Sequence, residues 1–179
     1  HHFTDRRQRQ MCIRDRTISP QMKIKLDRID ALISEGYTLN KTWGYYPDLK
    51  TSSGKSVNIF GSLFRLSGPA GFSWIAFFFP WAVCVQIREW PFFYSLFIFS
   101  LFDTILAIFF EASTSIASLL SLLTCYWYAC MFPYLRYLAA KKNVDEVSKT
   151  SSILIGFVLC LLALTPSLIL AFATNTIVA

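Results

Sequence analysis

Asp103 is the ionisable residue that stands inside an apolar segment long enough to cross a membrane. It follows Pro91 by 12 residues, so at about 1.5 Å of rise per residue its carboxylate would lie about 18 Å into the bilayer. An unpaired carboxylate there costs about 2.5 to 3.5 kcal/mol on insertion scales, and intramembrane acids often mark proton or ion routes. The alternative is structural: Asp103 is protonated, or accepts hydrogen bonds from Thr104 or the next span. We favour this alternative because transport usually requires several such groups.

Catalytic and metal-binding chemistry has little support in the residue types present. His1 and His2 are the only histidines, and they stand in a leader whose RQMCIRDR portion resembles translated sequencing-adapter sequence. Without native histidine, a Ser/His protease, a zinc hydrolase and a histidine-ligated haem lose their central group. The SSGKS run from Ser52 to Ser56 has Leu49 where a phosphate loop needs its first glycine. We therefore expect no enzymatic activity, no cofactor and no metal site.

The stretch from Gly71 to Trp90, GFSWIAFFFPWAVCVQIREW, decides the predicted topology. Its apolar part, residues 71–87, has 17 residues, the short limit for a helix that crosses a hydrocarbon core about 30 Å thick. Pro80 removes a backbone donor near the middle, which predicts two short limbs, Phe72 to Phe79 and Trp81 to Ile87. We interpret the stretch as a re-entrant hairpin, and a kinked span is the alternative.

Aromatic and charged residues frame this predicted hairpin. The residues that we assign to its mouth and membrane anchor are Trp74, Trp81, Arg88, Glu89 and Trp90. Arg88 and Glu89 would anchor the hairpin at the lipid headgroups, because long basic side chains keep their charge in water while their stems lie in apolar surroundings. A recognition pair formed by the same two residues is the alternative.

Three later segments are long and apolar enough to span a membrane, at about 91–110, 112–132 and 152–173. Pro166 should kink the last of them. Small residues recur at helical spacing on one face of each of the last two segments, and small faces allow close helix contact. The residues that we predict to pack helices in this way are Thr114, Ser118, Ser121, Gly156, Cys160, Ala163 and Ser167.

The chain before these segments is polar in character. Residues 1–21 are interpreted as a non-native, adapter-derived, disordered leader. Residues 22–70 form the predicted N-terminal region, where apolar residues at spacings of four, three and four indicate a short amphipathic helix from Met22 to Ser34. Glycines and small polar residues predict a loop from Tyr37 to Gly61, and the aromatic run from Phe60 to Leu66 would approach the membrane.

Charge counting decides between the two topologies. If residues 71–90 re-enter, all 17 Lys and Arg residues fall on one side. If they span, the basic connection from Arg136 to Lys149 lies opposite the N-terminal region. The positive-inside rule favours the first arrangement. The predicted fold is therefore an all-α membrane protein with three transmembrane helices plus one short re-entrant helical hairpin. Four transmembrane helices are the alternative.

The run from Gly71 to Trp90 resembles the signature of the small bacterial inner-membrane proteins catalogued as domain of unknown function family 2628. There a GFSW-x-AFFF run is followed by a tryptophan and by a basic residue close to an aromatic, matched here by Trp81, Arg88 and Trp90. YLRYLAAKK from Tyr134 to Lys142 resembles the aromatic and basic end of a later span in that family. The resemblance implies a membrane location and a fold, and it transfers no catalytic residue.

We therefore expect a small multi-pass protein of the bacterial inner membrane, with a cytoplasmic N-terminus, that acts as a non-enzymatic accessory or structural component. The alternative is an oligomeric proton or ion transporter or channel that uses Asp103. The expected partners are the lipid bilayer with its anionic headgroups, and a second copy or another membrane protein. The net charge of +6 falls to +3 without the first 16 residues, which carry five Arg and two Asp. That remainder is what membrane orientation requires of cytoplasmic loops, and it does not indicate nucleic-acid binding.

Overall fold

The structure, a computed structural model, describes residues 18–58, 67–110 and 114–178. This part of the chain contains seven α-helices and one two-stranded sheet. The prediction of a mostly helical chain is confirmed, and the prediction of an all-α chain is wrong because of the sheet. Most of the predicted leader and all of the aromatic run 60–66 lie outside the described residues.

The first helix, α1, spans Pro20–Ser34. Its start combines Pro20 in the first turn with the hydroxyl of Ser19, which accepts a hydrogen bond from the Met22 backbone N–H at 3.3 Å. Met22 and Ile29 are its buried residues, so the apolar face packs against the protein. Gly36 follows the helix with a φ of 96°, a left-handed conformation that glycine adopts without strain.

The predicted loop after α1 instead contains a β-hairpin, with β1 at Thr38–Thr42 and β2 at Tyr46–Lys50 in antiparallel register. Gly44 supplies positive φ to its turn, and Pro47 stands in a two-stranded sheet where both strands are edges. The buried Asn58 fixes the second strand, since its side chain accepts from the Leu49 N–H and donates to the Pro47 carbonyl. Gly44, one of the glycines that predicted a loop, therefore stands in the turn of a β-hairpin.

Residues 71–90 form two short helices, α2 at Trp74–Phe78 and α3 at Pro80–Gln86. The helical conformation is interrupted at Phe79, and Pro80 begins the second helix. In the first turn of a helix the backbone N–H that proline lacks would have no partner within the helix. Helix α4 then spans Pro91–Phe110.

Helix α5 spans Thr114–Lys141 and continues past the predicted boundary at residue 132. Pro133 lies inside it and cannot donate to the carbonyl of Ala129. That carbonyl accepts instead from the Ser73 backbone N–H at 3.2 Å. The helix therefore passes through Pro133 without an orphaned carbonyl, and the start of α2 is attached to α5 at the same point.

Helices α6, Lys149–Ala163, and α7, Thr165–Val178, are bent from each other by 54°. The break falls beside Pro166, where a kink was predicted. By length and composition, two helices, α4 and α5, can cross a membrane, or three segments if α6 and α7 form one bent span.

The core lies around the second half of α5, where Tyr128, Phe132 and Leu135 are buried. Large apolar side chains remain exposed elsewhere, including Phe109 on α4, Leu154 on α6 and Phe172 on α7. Apolar surface of this extent is typical of a protein that contacts lipid or another protein.

Candidate functional site

A cavity of about 550 Å³ lies between α4, the first half of α5 and the α6–α7 junction, and we call it the Asp103 cavity. Five of its lining residues are apolar: Leu96, Phe99, Leu120, Leu122 and Leu164. The others are Ser100, Asp103, Ser118, Ser121, Thr124, Cys125 and Ser167. The lining is therefore mixed, with hydroxyl groups and one carboxylate beside apolar side chains.

The hydroxyl groups on the α4 side of the cavity bond to one another and to the backbone. The Ser100 and Ser167 hydroxyls are 2.9 Å apart and join α4 to α7. Thr104 donates to the Ser100 carbonyl at 2.8 Å, and its hydroxyl lies 3.4 Å from that of Ser167. On α5, Thr124 donates to the Leu120 carbonyl. Each of these four hydroxyl groups therefore has a hydrogen-bond partner, and none of these partners is the Asp103 carboxylate.

Asp103 is half-buried beside this cluster. Within residues 18–58, 67–110 and 114–178, no hydrogen bond or ion pair joins its carboxylate to another residue. Thr104, an expected partner, donates to the backbone of its own helix instead. The carboxylate is therefore open to a cation or a hydrogen-bond donor from outside the described residues.

The two predicted small-residue faces have different surroundings. On α6, a Cβ added to Gly156 would lie 2.7 Å from the Trp81 carbonyl oxygen, so α3 and α6 meet with no space between them. Ala163 belongs to the buried core and Cys160 packs against it. On α5, Ser118 and Ser121 line the Asp103 cavity, and the Thr114 side chain lies outside the described part. One face is therefore used within the chain, and the other borders a cavity.

The entrance to residues 71–90 is held by Tyr134 of α5. Its hydroxyl donates to the Ser67 carbonyl at 2.8 Å and accepts from the Ala70 N–H at 3.2 Å. Tyr134 is fully buried. Gly68 fits beneath it with a φ of 57°, in a position where a Cβ would lie 2.7 Å from the Tyr134 hydroxyl.

The exit from the same segment is held near Arg136, two residues further along α5. Arg136 is buried and pairs with Glu146 at 2.8 Å. Glu146 also accepts from the Gln86 side chain at 3.3 Å, and the Val147 N–H donates to the Gln86 carbonyl at 3.1 Å. Tyr134 and Arg136 are separated by a rise of about 3 Å on α5, and Glu146 connects Arg136 to Gln86 near the end of the segment.

Glu89, predicted as part of the mouth, forms an ion pair with Lys41 of β1, whose ammonium lies 2.6 Å from Oε1. Arg88 beside it is exposed, with a φ of 54°. Glu89 is therefore paired with the β-hairpin formed by β1 and β2, and not with Arg88. The sequence could not indicate this contact, because Lys41 was assigned to a loop.

The three predicted anchor tryptophans lie at different depths of burial. Trp74 is 68% exposed on α2 and Trp90 is 38% exposed before α4, whereas Trp81 is half-buried over Gly156. Trp74 and Trp90 can contact lipid, and Trp81 packs two helices together.

The fold and the site define a class of protein: a helical chain with two or three bilayer-length apolar segments and a polar cavity between them. In the described part of the chain, no group of three His, Cys, Asp or Glu residues could hold a metal ion. Comparison of the chain with protein-family models, with curated proteins and with solved structures finds no match.

Proposed function

We propose that this chain is a multi-pass membrane protein with three spans, α4, α5 and the bent pair α6–α7, and with residues 71–90 as a re-entrant segment. The support is that both ends of that segment are tied to α5: Tyr134 bonds to Ser67 and Ala70 just before it, and Glu146, the partner of Arg136, accepts from Gln86 near its end. A location in the bacterial inner membrane, with a cytoplasmic N-terminus, rests on the family resemblance of residues 71–90 and on the positive-inside rule.

Cysteine labelling tests this topology. Ser67→Cys and Lys142→Cys are treated in intact cells with a membrane-impermeant maleimide. Both are placed in a background in which Cys12, Cys125 and Cys160 are replaced by serine, and this background serves as the blank because the remaining Cys84 and Cys130 are buried. Re-entry predicts that both sites react only after the cells are opened. Reaction of one site in intact cells and of the other only in opened cells would refute it.

In this topology the protein acts as a non-enzymatic accessory subunit that binds a transmembrane helix of a partner at the Asp103 cavity. The observation that carries this proposal is a carboxylate without a partner in the described chain, beside a cavity that small residues of α5 border. Residues 91–135 and 150–179 contain no Lys or Arg. A second copy would therefore bring another carboxylate to this depth, whereas a partner helix with a basic residue would complement Asp103.

A designed peptide tests the pairing without requiring the natural partner. Two labelled leucine-rich transmembrane peptides, with Lys or Leu at the centre, are titrated against the labelled protein in vesicles and followed by energy transfer. Interhelical polar contacts contribute about 1–2 kcal/mol, so the Lys peptide should bind about 5- to 30-fold more tightly. Asp103→Asn should abolish this preference, and Asp145→Asn, at an exposed position, should retain it. Equal binding of both peptides to the parent would reject the pairing.

Proton or cation transport is the second candidate function. It is favoured by the hydroxyl groups of Ser100, Thr104 and Ser167 on α4 and α7 beside Asp103, since hydroxyls and carboxylates together can bind cations. A single carboxylate makes a homo-oligomer necessary. Native mass measurement in lipid should then give a closed oligomer, and Asp103→Asn should stop proton flux in vesicles. A monomer whose flux is unchanged by the substitution would exclude transport.

A further inference from the structure

The β-hairpin presents two exposed aromatic side chains at its turn, which we call the aromatic tip: Trp43 and Tyr45. Trp43 is 78% exposed, with a φ of 54° that the following Gly44 continues in the same left-handed region. Tyr45 is 46% exposed. The Trp43 ring keeps one edge-to-face contact inside the hairpin, with its centroid 6.4 Å from that of Tyr46. Most of its surface is nevertheless exposed, and clustered exposed aromatic rings are typical of a surface that contacts lipid or another protein.

Contacts from the hairpin fix the tip beside the first turn of α4. The Tyr45 and Tyr94 rings meet edge to face with centroids 4.9 Å apart. The Tyr46 hydroxyl lies 3.2 Å from that of Ser95, and its ring lies 6.3 Å from Trp127 of α5. The tip is therefore at the level where α4 begins.

Other exposed aromatic side chains stand at the same level. Trp90, Tyr94 and Trp127 are 38%, 47% and 36% exposed. Tryptophan and tyrosine concentrate where a membrane meets water, because their rings are apolar and each carries a polar group. The aromatic tip continues this belt outward from α4 and α5.

The β-hairpin is also attached to the C-terminal end of residues 71–90. Lys41 of β1 pairs with Glu89, and both side chains are largely buried, at 18% and 12% exposed. This ion pair restricts the hairpin near Trp90, so the orientation of the tip follows from bonds at both strands.

We infer that the aromatic tip inserts into the interfacial layer of the bilayer, on the side where α4 begins, and that its partner is the lipid surface. The inference rests on α4 crossing the membrane, as in the proposed function. Trp43 enters the headgroup and upper acyl region, and the two strands lie in water above it.

Spin labels test the inference in nanodiscs of mixed zwitterionic and anionic lipid. Trp43→Cys carries the test label, and Ser53→Cys, in the exposed loop after β2, is the matched control. Both are placed in the background without Cys12, Cys125 and Cys160, which serves as the blank. The label at 43 should show a higher ratio of oxygen to nickel-complex accessibility than the label at 53. Equal, water-like ratios at both sites would overturn the inference.

A third label separates this inference from the proposed function. Ile98 lies on α4 and is 59% exposed, so Ile98→Cys reports whether α4 crosses the bilayer. A lipid-embedded label at 98 with an aqueous label at 43 would refute the insertion of the aromatic tip and leave the proposed function intact. An aqueous label at 98 refutes the proposed function, and with it the basis for the tip.

Discussion

Replacing Tyr134 by phenylalanine removes one hydroxyl group and leaves the ring in place. That hydroxyl donates to the Ser67 carbonyl and accepts from the Ala70 N–H. Because Tyr134 is fully buried and Ala70 is 3% exposed, water cannot replace the lost partner of the amide. A buried donor left without an acceptor costs about 1–3 kcal/mol.

The matched control is Tyr137→Phe, the same change one turn further along α5. The Tyr137 hydroxyl donates to Asp30 at 2.7 Å, but this pair is exposed. Water replaces the lost donor there, so the substitution should cost less than about 1 kcal/mol. Both substitutions remove one hydroxyl group and the same volume, but the hydroxyl removed is buried at Tyr134 and exposed at Tyr137.

Thermal unfolding in detergent, followed by tryptophan fluorescence, gives the stability comparison. For a chain of this length about 1 kcal/mol shifts Tm by about 2–4 °C, so Tyr134→Phe should lower Tm by about 2–12 °C. In addition, Ser67→Cys should react faster with maleimide in the Tyr134→Phe background, because the entrance to residues 71–90 is released. Equal Tm values for the two phenylalanine variants, with no change in labelling rate, would refute the assigned role of Tyr134.

Three further predictions concern contacts between elements. Gly156→Val should destabilise the protein by about 1–3 kcal/mol, measured as a lower Tm, because the added atoms overlap the Trp81 backbone. A Gly156 variant as stable as the parent would contradict this close packing. Lys41→Met and Glu89→Gln should be non-additive in a double-mutant cycle of Tm, with a coupling of about 1 kcal/mol or more, since the pair is largely buried; additivity would show that the pair contributes nothing. Asp103→Asn should increase insertion of α4 as an isolated segment, measured by glycosylation mapping, because it removes an intramembrane charge; unchanged insertion would show that Asp103 is not embedded.

The sequence predicts those parts of the fold that local signals determine. An uninterrupted apolar run with Pro91 in its first turn defines α4, and the structure gives the same helix, Pro91–Phe110. Pro80 divides residues 71–90 into two limbs in both descriptions. In these segments, composition and one residue of fixed backbone geometry are sufficient, because the result does not depend on distant contacts.

Other parts depend on contacts between distant residues. The hairpin is held by Asn58 and by Lys41, whose partner Glu89 is 48 positions away. The continuation of α5 through Pro133 depends on Ser73, which supplies the donor that proline lacks. No periodicity within α5 or the β-hairpin indicates these partners. The predicted loop from Tyr37 to Gly61 and the predicted helix end at residue 132 were therefore wrong, because local patterns do not show contacts between distant residues.

The small-residue faces show where sequence reasoning about the site reaches its limit. Ser118 and Ser121 on α5, and Gly156 on α6, have the same pattern in the sequence, and each predicts close helix contact. In the structure α3 occupies the Gly156 face, whereas the α5 face borders the Asp103 cavity. The bend of 54° at the α6–α7 junction places Leu164 and Ser167 at the far wall of that cavity. The face on α5 therefore borders a cavity for a reason that lies in another helix, and straightening that junction would be expected to change the width of the cavity beside Asp103.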